Sequence, residues 1–393
     1  MGLATASRES EGRAVLEADI LLGEPLPWDV YDGHGNLLLR QGFVMRTARQ
    51  REALVARGVH RRDLEPGEAP ARPRITPAAG PSLGAFDLVD SLLDRLKGAF
   101  SALLAGRGDA PARIEQLALD VQAACERAAD AVLAALHVNH DGPYGLVHPL
   151  HAAILCELVG RRLEVPPYGR LPLVSAALSH DVGILQVQEV LQRQTTPLTE
   201  AQWAEVRAHP RRSAELLAAA GVEDPLWIDP VLHHHERLDG SGYPDGLIGD
   251  ALSIEARLVA VADIYSAMVR PRVYRDALLA QTALRQIFLD RGQKIDATIT
   301  EVFIKEVGIF PPGALVRLAS GEVAVVAGRG ADTSHPPVFS LLSKEGVAAK
   351  GVSARDSRQA EHAIVEMLPY RRFRALAAVL RGLWPSVPFP GAP

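Results

Sequence analysis

The chain has 393 residues, of which 48% are hydrophobic and 23% are charged, and its formal net charge is −5. This composition is typical of a globular protein of about two or three domains, and it argues against a long nucleic acid as ligand. The N-terminus lacks an apolar core and no run of about 18 uncharged apolar residues occurs, so we expect neither a signal peptide nor a membrane span. The two cysteines, Cys125 and Cys156, form no CxxC pair, which favours a reducing, cytoplasmic location.

Residues 1–63 are predicted to form a small α+β module. Short β-like runs occur at Trp28–Tyr31 and Leu37–Leu39, with glycines around them, and a helical pattern follows over Arg46–Ala56. The next segment, 64–84, contains five prolines and has no apolar period. It is therefore predicted to be a Pro/Ala-rich linker.

Residues 85–310 are predicted to form an all-helical bundle, which makes the chain mainly α. Apolar residues recur at intervals of three and four, as in the segment 92–103. One helix start is predicted in detail, because Thr199 is followed three residues later by Gln202, the pattern of a capping box.

The C-terminal part is predicted to change to β structure. Runs at Leu315–Leu318 and Val323–Val326 flank a Ser-Gly pair, which indicates a small β-rich appendage over 311–368. The tail, 369–393, contains one amphipathic segment, and we favour a docked terminal helix over a helix that lies on a membrane surface.

Histidines and aspartates recur through the helical region in an order that suggests a metal site. In chain order they are His148, His180, Asp181, His209, His233, His234, His235 and Asp263. His180 and Asp181 follow an apolar run and precede Gly183, which we expect to end the helix. Burial of two ionisable groups at that point is costly unless they are paired or bind a metal.

Imidazole nitrogen and carboxylate oxygen together suit manganese, iron and zinc, and one carboxylate can bridge two ions. Asp181 is the candidate bridge. Two such ions polarise a phosphate and generate a hydroxide nucleophile, so no nucleophile from the protein is required. The sequence offers no persuasive Ser-His-Asp or Cys-His arrangement for that role.

A glycine-rich loop, 236–247, follows the three consecutive histidines. In it Gly240, Gly242 and Gly246 flank Tyr243-Pro244. Glycines let backbone amides approach an anion, and a tyrosine adds a stacking face or a hydroxyl donor. Such a loop is more often a surface turn, but its position directly after the histidines makes Gly240, Gly242 and Tyr243 candidate substrate-binding residues.

Five segments together resemble the HD-GYP branch of the HD phosphohydrolase family. Within about 147–309 they are HPLHAAILCELVGRRL, ALSHDVG, RAHPRRSAELL, HHHERLDGSGYPDGL and VADIYSAMVRPRVYR. The resemblance implies an all-helical domain that holds two, sometimes three, metal ions and hydrolyses cyclic di-GMP to pGpG or GMP. It marks His180 and Asp181 as the catalytic pair.

The resemblance also implies the ligands of each metal. The first ion is assigned to His148, His180, Asp181 and Asp263. The second ion is assigned to Asp181, His209, His234 and His235. Arg272 and Arg275 match positions that contact substrate phosphates in the family, and His233 receives no role. We expect two divalent ions, iron or manganese, with zinc as the third candidate.

Three positions depart from the family pattern. Ile184 occupies the place of the lysine in the usual His-Asp-x-Gly-Lys motif, which removes a cation from the site. Tyr144 stands where members with a third metal often carry a glutamate, so a two-metal site is favoured. Ser266 replaces an aspartate three residues after the last ligand.

Two other functions stay open at this point. Loss of the lysine suggests a degenerate domain that binds cyclic di-GMP as a sensor with little turnover, and the HD ligands alone would also fit a phosphohydrolase of another nucleotide. The sequence also leaves open a signalling partner at the N-terminal module or at the glycine-rich loop, and a homodimer.

Overall fold

The computed structural model describes most of the chain beyond the first 80 residues. The described residues are 13–21, 24, 26–31, 37–39, 51, 54–55, 60–62, 82–138, 142–271, 277–330, 332–384 and 387–388. The chain divides into two compact units, Met1–Thr76 and Pro77–Pro393.

The N-terminal unit contains a four-stranded antiparallel sheet. In spatial order its strands are β1 (Arg13–Ala14), β4 (His60–Arg62), β2 (Asp29–Tyr31) and β3 (Leu37–Leu39). The strands predicted at Trp28–Tyr31 and Leu37–Leu39 are confirmed. Strands β1 and β4 were missed, because two or three residues rich in arginine carry no readable alternation. The helix predicted over Arg46–Ala56 and the linker predicted for 64–84 lie largely outside the described residues.

The second unit is mainly helical, as predicted. Its described helices are α1 (Ala85–Leu104), α2 (Ala110–Val138), α3 (Tyr144–Arg162), α4 (Pro167–Ser179), α5 (Leu185–Arg193), α6 (Glu200–Ala219), α7 (Pro225–His233), α8 (Ile254–Val269), α9 (Ala280–Asp290) and α10 (Ala297–Val307). The predicted capping box at the start of α6 is confirmed, because the Gln202 backbone N–H donates to Thr199 Oγ1 at 3.2 Å and the Thr199 N–H donates to Gln202 Oε1 at 3.0 Å.

Helix α3 lies at the centre of this bundle. Every residue from 147 to 160 is buried, so the helix is covered on all sides. It packs against α2, α4 and α8, and its first buried turn carries His148. Because the His148 side chain is buried in the core, it needs a hydrogen-bonding or ligand partner there.

Five strands follow the bundle and form a second antiparallel sheet. In spatial order they are β10 (Ile364–Leu368), β6 (Leu315–Leu318), β7 (Val323–Val326), β8 (Pro337–Leu342) and β9 (Ala348–Asp356). The two predicted strands are confirmed as β6 and β7. Val323 and Val325 belong to the same hydrophobic core as the helices, and Arg329 donates to Asp130 on α2 at 2.5 Å. The sheet is thus packed onto the bundle.

The tail is docked, as predicted. A short helix, α11 (Ala377–Arg381), buries Leu380, and the ring of Trp384 lies 6.1 Å from the ring of Phe86 on α1. Strand β11 (Val387–Pro388) pairs with β5 (Ser82–Leu83), at the end of the predicted linker. Among the described residues, every helix is too short or too polar to cross a lipid bilayer.

Candidate metal centre

Seven side chains that are far apart in the sequence meet inside the helical bundle. Their ligand atoms form two groups, and within each group all atoms lie within 4.8 Å of one another. One group is His148, His180 and Asp263. The other is Asp181, His209, His234 and His235. Helices α3, α6 and α8 and the C-terminal ends of α4 and α7 supply these residues.

The backbone after α4 brings His180 and Asp181 into this position. Helix α4 ends at Ser179, and a 3-10 turn at Val182–Ile184 leads into α5. The expectation that Gly183 ends the helix is wrong. A Cβ at Gly183 would lie 2.7 Å from both the His209 carbonyl oxygen and the Ser213 nitrogen, so glycine is needed because α6 approaches closely there.

His148 and Asp263 make the shortest contact of the first group. His148 Nε2 lies 2.9 Å from Asp263 Oδ1 and 3.6 Å from Asp181 Oδ2. On its other side, His148 Nδ1 lies 3.0 Å from Ser266 Oγ, and the Ser266 hydroxyl donates to the His148 carbonyl oxygen at 3.2 Å. Ser266, which departs from the family pattern, therefore helps to orient the His148 ring.

Three other imidazoles are oriented in a similar way, each by a carbonyl three residues earlier. The Nδ1–H of His180 donates to Ala177 O at 2.8 Å, that of His209 to Val206 O at 2.6 Å, and that of His234 to Val231 O at 2.8 Å. A neutral ring that makes this hydrogen bond carries its proton on Nδ1, and its Nε2 lone pair can then bind a cation. His209 Nε2 lies 3.1 Å from Asp181 Oδ1.

The charge states of these groups are those that metal binding requires. Burial lowers the pKa of His180 and His234, and it lowers the pKa of His235 to about 3, so these rings are neutral at pH 7. Burial alone raises the pKa of Asp181, but His180, His209 and His148 together outweigh it and hold that pKa well below its usual range. Neutral imidazoles and ionised carboxylates bind divalent metals without first losing a proton.

These residues fit a divalent metal. The His180 Nε2 atom is fully buried and has no hydrogen-bond partner among the described residues. The Nε2 atoms of His209 and His234 lie 3.2 Å apart, and a cation between them would bind the lone pairs that the two neutral rings present there. Nitrogen and oxygen donors together are the ligands that borderline divalent metals prefer.

A buried glutamate that the sequence reasoning missed organises the glycine-rich loop. The Glu236 carboxylate accepts hydrogen bonds from the backbone N–H groups of Asp245, Gly246 and Leu247 at 2.6, 3.0 and 3.2 Å. His233 also connects its helix to the loop, because its ring nitrogens lie 2.8 Å from Asp229 Oδ1 and 3.2 Å from Asp245 Oδ2. The available signal was the position of Glu236, directly after the histidines.

The backbone conformation of the loop requires glycine at two positions. Gly240 has a φ of +78°, and a Cβ at Gly242 would lie 2.4 Å from the Glu236 Cα atom. The loop therefore folds back tightly onto the end of the histidine run. This places the Tyr243 ring 4.7 Å from the His235 ring. Substrate binding by Gly240, Gly242 and Tyr243 stays a prediction.

A cavity of about 480 Å³ opens onto the two ligand groups. Asp181, His209, His235 and Asp263 line it together with Tyr243 and Ile184. Tyr144 also lines it and stacks on His148 at 4.9 Å. The described lining contains no lysine or arginine. Arg272 and Arg275, the predicted phosphate contacts, lie outside the described residues.

The chain is similar to known proteins that carry HD domains or hydrolyse cyclic dinucleotides. An HD domain family profile matches residues 111–299. The chain is 33% identical over 282 residues to a cyclic di-GMP phosphodiesterase of Pseudomonas aeruginosa, and the match covers 67% of each protein. It is 36% identical over 133 residues to the cyclic di-GMP phosphodiesterase response regulator of Xanthomonas campestris pv. campestris, covering 33% of this chain and 35% of the relative. A 3'3'-cGAMP-specific phosphodiesterase of Vibrio cholerae is 32% identical over 174 residues, covering 44% of this chain and 38% of its own length.

A helical bundle whose core gathers histidines and aspartates around a His-Asp pair defines an HD-type metal-binding domain. The chain belongs to the HD-GYP family of HD phosphohydrolases. The matched region spans two thirds of the Pseudomonas relative and little more than a third of the other two.

Proposed function

We propose that this protein is a metal-dependent phosphodiesterase that hydrolyses cyclic di-GMP to pGpG, to GMP or to both. The observation that carries the proposal is the position of Asp181 between the two ligand groups. Its Oδ1 lies 3.1 Å from His209 Nε2 in one group, and its Oδ2 lies 3.6 Å from His148 Nε2 in the other. One carboxylate with an oxygen toward each group suits a bridge between two cations.

In this proposal His148, His180, Asp181 and Asp263 hold one divalent ion, and Asp181, His209, His234 and His235 hold the second. When bound, such ions supply Lewis acidity to a phosphodiester and lower the pKa of water. The chain's own contribution is to fix the ligands. Four imidazoles are oriented through Nδ1, and the two aspartates are ionised before any ligand arrives.

Two ions, iron or manganese in the first instance, remain our proposal for the metal content. Tyr144 stacks on His148 where a third metal would require a carboxylate, and a phenol that lies flat on an imidazole is a poor substitute. Mixed nitrogen and oxygen ligands do not distinguish iron, manganese and zinc by affinity alone. Elemental analysis of protein purified without chelator is expected to give two ions for each chain.

The identity of the cyclic dinucleotide is a second part of the proposal. The Pseudomonas and Xanthomonas relatives are named for cyclic di-GMP, whereas one Vibrio relative is named for 3'3'-cGAMP. We favour cyclic di-GMP, because the match to the Pseudomonas enzyme covers the larger share of this chain. A direct comparison of kcat/KM for the two compounds tests this choice.

Ile184 supports a second candidate function. Its side chain is buried and lines the cavity where the family pattern has a lysine, so this wall offers no cation to a phosphate. A domain that binds cyclic di-GMP and signals through a partner would tolerate this change. The full set of seven candidate ligands, together with the buried His180 Nε2 atom that has no hydrogen-bond partner among the described residues, favours the enzyme.

Further parts of the proposal concern the cellular setting. Cys125 and Cys156 are both buried and free, as is common in the reducing cytoplasm. The N-terminal unit carries none of the seven predicted ligands, so we assign it to regulation or to contact with a signalling protein. The glycine-rich loop is a second candidate for such a contact, and a homodimer is compatible with both.

The test is incubation of the full chain with Mn²⁺ or Fe²⁺ and cyclic di-GMP, followed by chromatography of the products. The enzyme proposal expects pGpG or GMP. Binding without product would support the sensor, and hydrolysis of another nucleotide alone would contradict both. Arg272→Ala is the companion variant, expected to raise KM without loss of metal, because a guanidinium can hold a phosphate but cannot ligate a cation.

A further inference from the structure

One wall of the cavity carries an exposed aromatic side chain that the metal chemistry does not use. Trp203, on α6, has 45% of its surface exposed and lines the cavity together with Val206 and His209. The other three tryptophans, Trp28, Trp227 and Trp384, are 9%, 2% and 8% exposed. An exposed indole in a cavity that is otherwise suited to phosphate chemistry suggests contact with another part of the ligand.

The position of Trp203 on α6 suits contact with a base that is separated from the reacting phosphate by one ribose. Trp203, Val206 and His209 follow one another at intervals of three residues and line the same cavity. Six residues of α-helix advance by about 9 Å, so the indole lies roughly that far along the axis from the ligand histidine. In a cyclic dinucleotide, a ribose separates each phosphate from its base, so a base can reach this wall while the phosphate lies at the aspartates.

The wall around Trp203 is held in place before any ligand binds. Gln194 and Gln202 exchange amide hydrogen bonds of 3.1 and 2.7 Å across the connection that leads into α6. Gln202 also forms the capping box with Thr199, so one side chain fixes both the connection and the helix start. Arg207, one turn after Trp203, has its guanidinium carbon 5.8 Å from the centre of the indole ring.

We propose that Trp203, with Arg207 beside it, is a stacking platform for one purine base of the cyclic dinucleotide. An indole offers a flat π surface to a base, and a guanidinium can stack on the base or contact its acceptor atoms. Trp203 is then a substrate-specificity residue that favours dinucleotides over phosphodiesters without bases. This inference rests on the proposed function, because it assigns a subsite to the same cavity.

Tryptophan fluorescence tests the platform directly. The metal-loaded full chain is excited at a wavelength selective for tryptophan and titrated with cyclic di-GMP. Because the other three indoles are buried, quenching is expected from Trp203, and Trp203→Phe should remove the quenching. In parallel, kcat/KM is measured for cyclic di-GMP and for bis(p-nitrophenyl) phosphate, a diester without nucleobases.

We divide kcat/KM for cyclic di-GMP by kcat/KM for bis(p-nitrophenyl) phosphate. Trp203→Ala is expected to lower this ratio by about 5- to 100-fold, mainly because KM for cyclic di-GMP rises. Trp203→Phe should lose less, since a phenyl ring still stacks. Leu289→Ala, which truncates an exposed side chain on α9, is the control and should leave the ratio unchanged. The stacking platform is overturned, and the proposed function stands, if three results are found together. The wild type hydrolyses cyclic di-GMP, its tryptophan fluorescence is not quenched, and Trp203→Ala leaves the ratio unchanged. Absence of cyclic di-GMP hydrolysis contradicts the proposed function instead, and quenching still decides whether the base binds at Trp203.

Discussion

His209 and His234 face each other through their Nε2 atoms at 3.2 Å, although the two residues are 25 positions apart in the chain and both donate their Nδ1 protons to backbone carbonyls. Two lone pairs at this distance repel unless a proton or a metal lies between them. Burial lowers the pKa of His234 well below its usual value, so this ring is neutral near pH 7. A divalent metal between the two Nε2 atoms would bind both and remove the repulsion.

Removal of metal is expected to destabilise the helical unit. A ligand that binds only the folded state stabilises it by about 2.7 kcal/mol when its free concentration is ~100-fold above its dissociation constant. Chelation should therefore lower Tm by several degrees, and Mn²⁺ should restore it. Differential scanning calorimetry with and without EDTA measures the effect. An unchanged Tm in protein shown to have lost its metal would contradict the metal's role in relieving this repulsion.

Asp181 and Asp263 should differ in how many ions their loss removes. Asp181 lies between the two ligand groups, whereas Asp263 belongs to one of them. Asp181→Ala is expected to reduce the metal content from two ions to nearly none and to abolish hydrolysis. Asp263→Ala should retain about one ion. Elemental analysis of both folded variants makes the comparison, and equal metal loss would show that Asp181 does not bridge.

Gly183→Ala tests the close approach between the His180-Asp181 segment and α6. The added Cβ would lie 2.7 Å from two backbone atoms, which cannot rotate away as a side chain can. We expect a loss of about 1–3 kcal/mol in the free energy of unfolding, together with weaker metal binding as His209 shifts. Gly98→Ala is the matched control, because Gly98 lies in α1 and, apart from its chain neighbours and its own stretch of helix backbone, no atom lies within 4 Å of the position of the added methyl group. Urea unfolding should show that control to be neutral or up to about 1 kcal/mol more stable.

All seven side chains that gather in the bundle were named from the sequence, because each belongs to a local motif that can be read in the sequence alone. Their role as metal ligands stays a prediction. It did not predict the reason for Gly183, since the atoms that require a glycine there belong to His209 and Ser213, some 30 residues later. The role of Glu236 was equally hidden, because its three hydrogen bonds go to backbone groups that only the folded loop brings together. Local pattern thus identified which side chains gather, and tertiary contact decided which neighbours support them.

Glu236→Ala should loosen the glycine-rich loop while it leaves the metal in place. Three backbone N–H groups lose a charged acceptor, which we expect to cost about 1–3 kcal/mol of stability. Tyr243 should then be less well positioned, so KM should rise more than kcat falls. Glu215→Ala, which removes an exposed carboxylate from α6, is the control. Loss of metal in Glu236→Ala at wild-type stability would show that Glu236 supports the ligands and not the loop.

The effect of Ile184 on turnover is the prediction that separates enzyme from sensor. Ile184 closes the 3-10 turn after Asp181, and its side chain is buried in the cavity wall. A lysine can keep its aliphatic stem in that space and extend its ammonium group toward the cavity. Ile184→Lys is therefore expected to raise kcat for cyclic di-GMP by on the order of tenfold or more, because a positive charge acts most strongly on the charge that develops in the transition state.

Ile184→Met is the matched control for this change, since it alters the shape of the side chain without adding charge and should leave kcat within a few-fold. All three proteins are loaded with equal metal and compared for kcat and for the affinity of cyclic di-GMP. Tight binding without turnover in the wild type, with turnover gained in Ile184→Lys, would establish the natural protein as a sensor. An active wild type that gains nothing from the lysine would show that Ile184 is a tolerated variation, as expected if Arg272 and Arg275 supply enough positive charge.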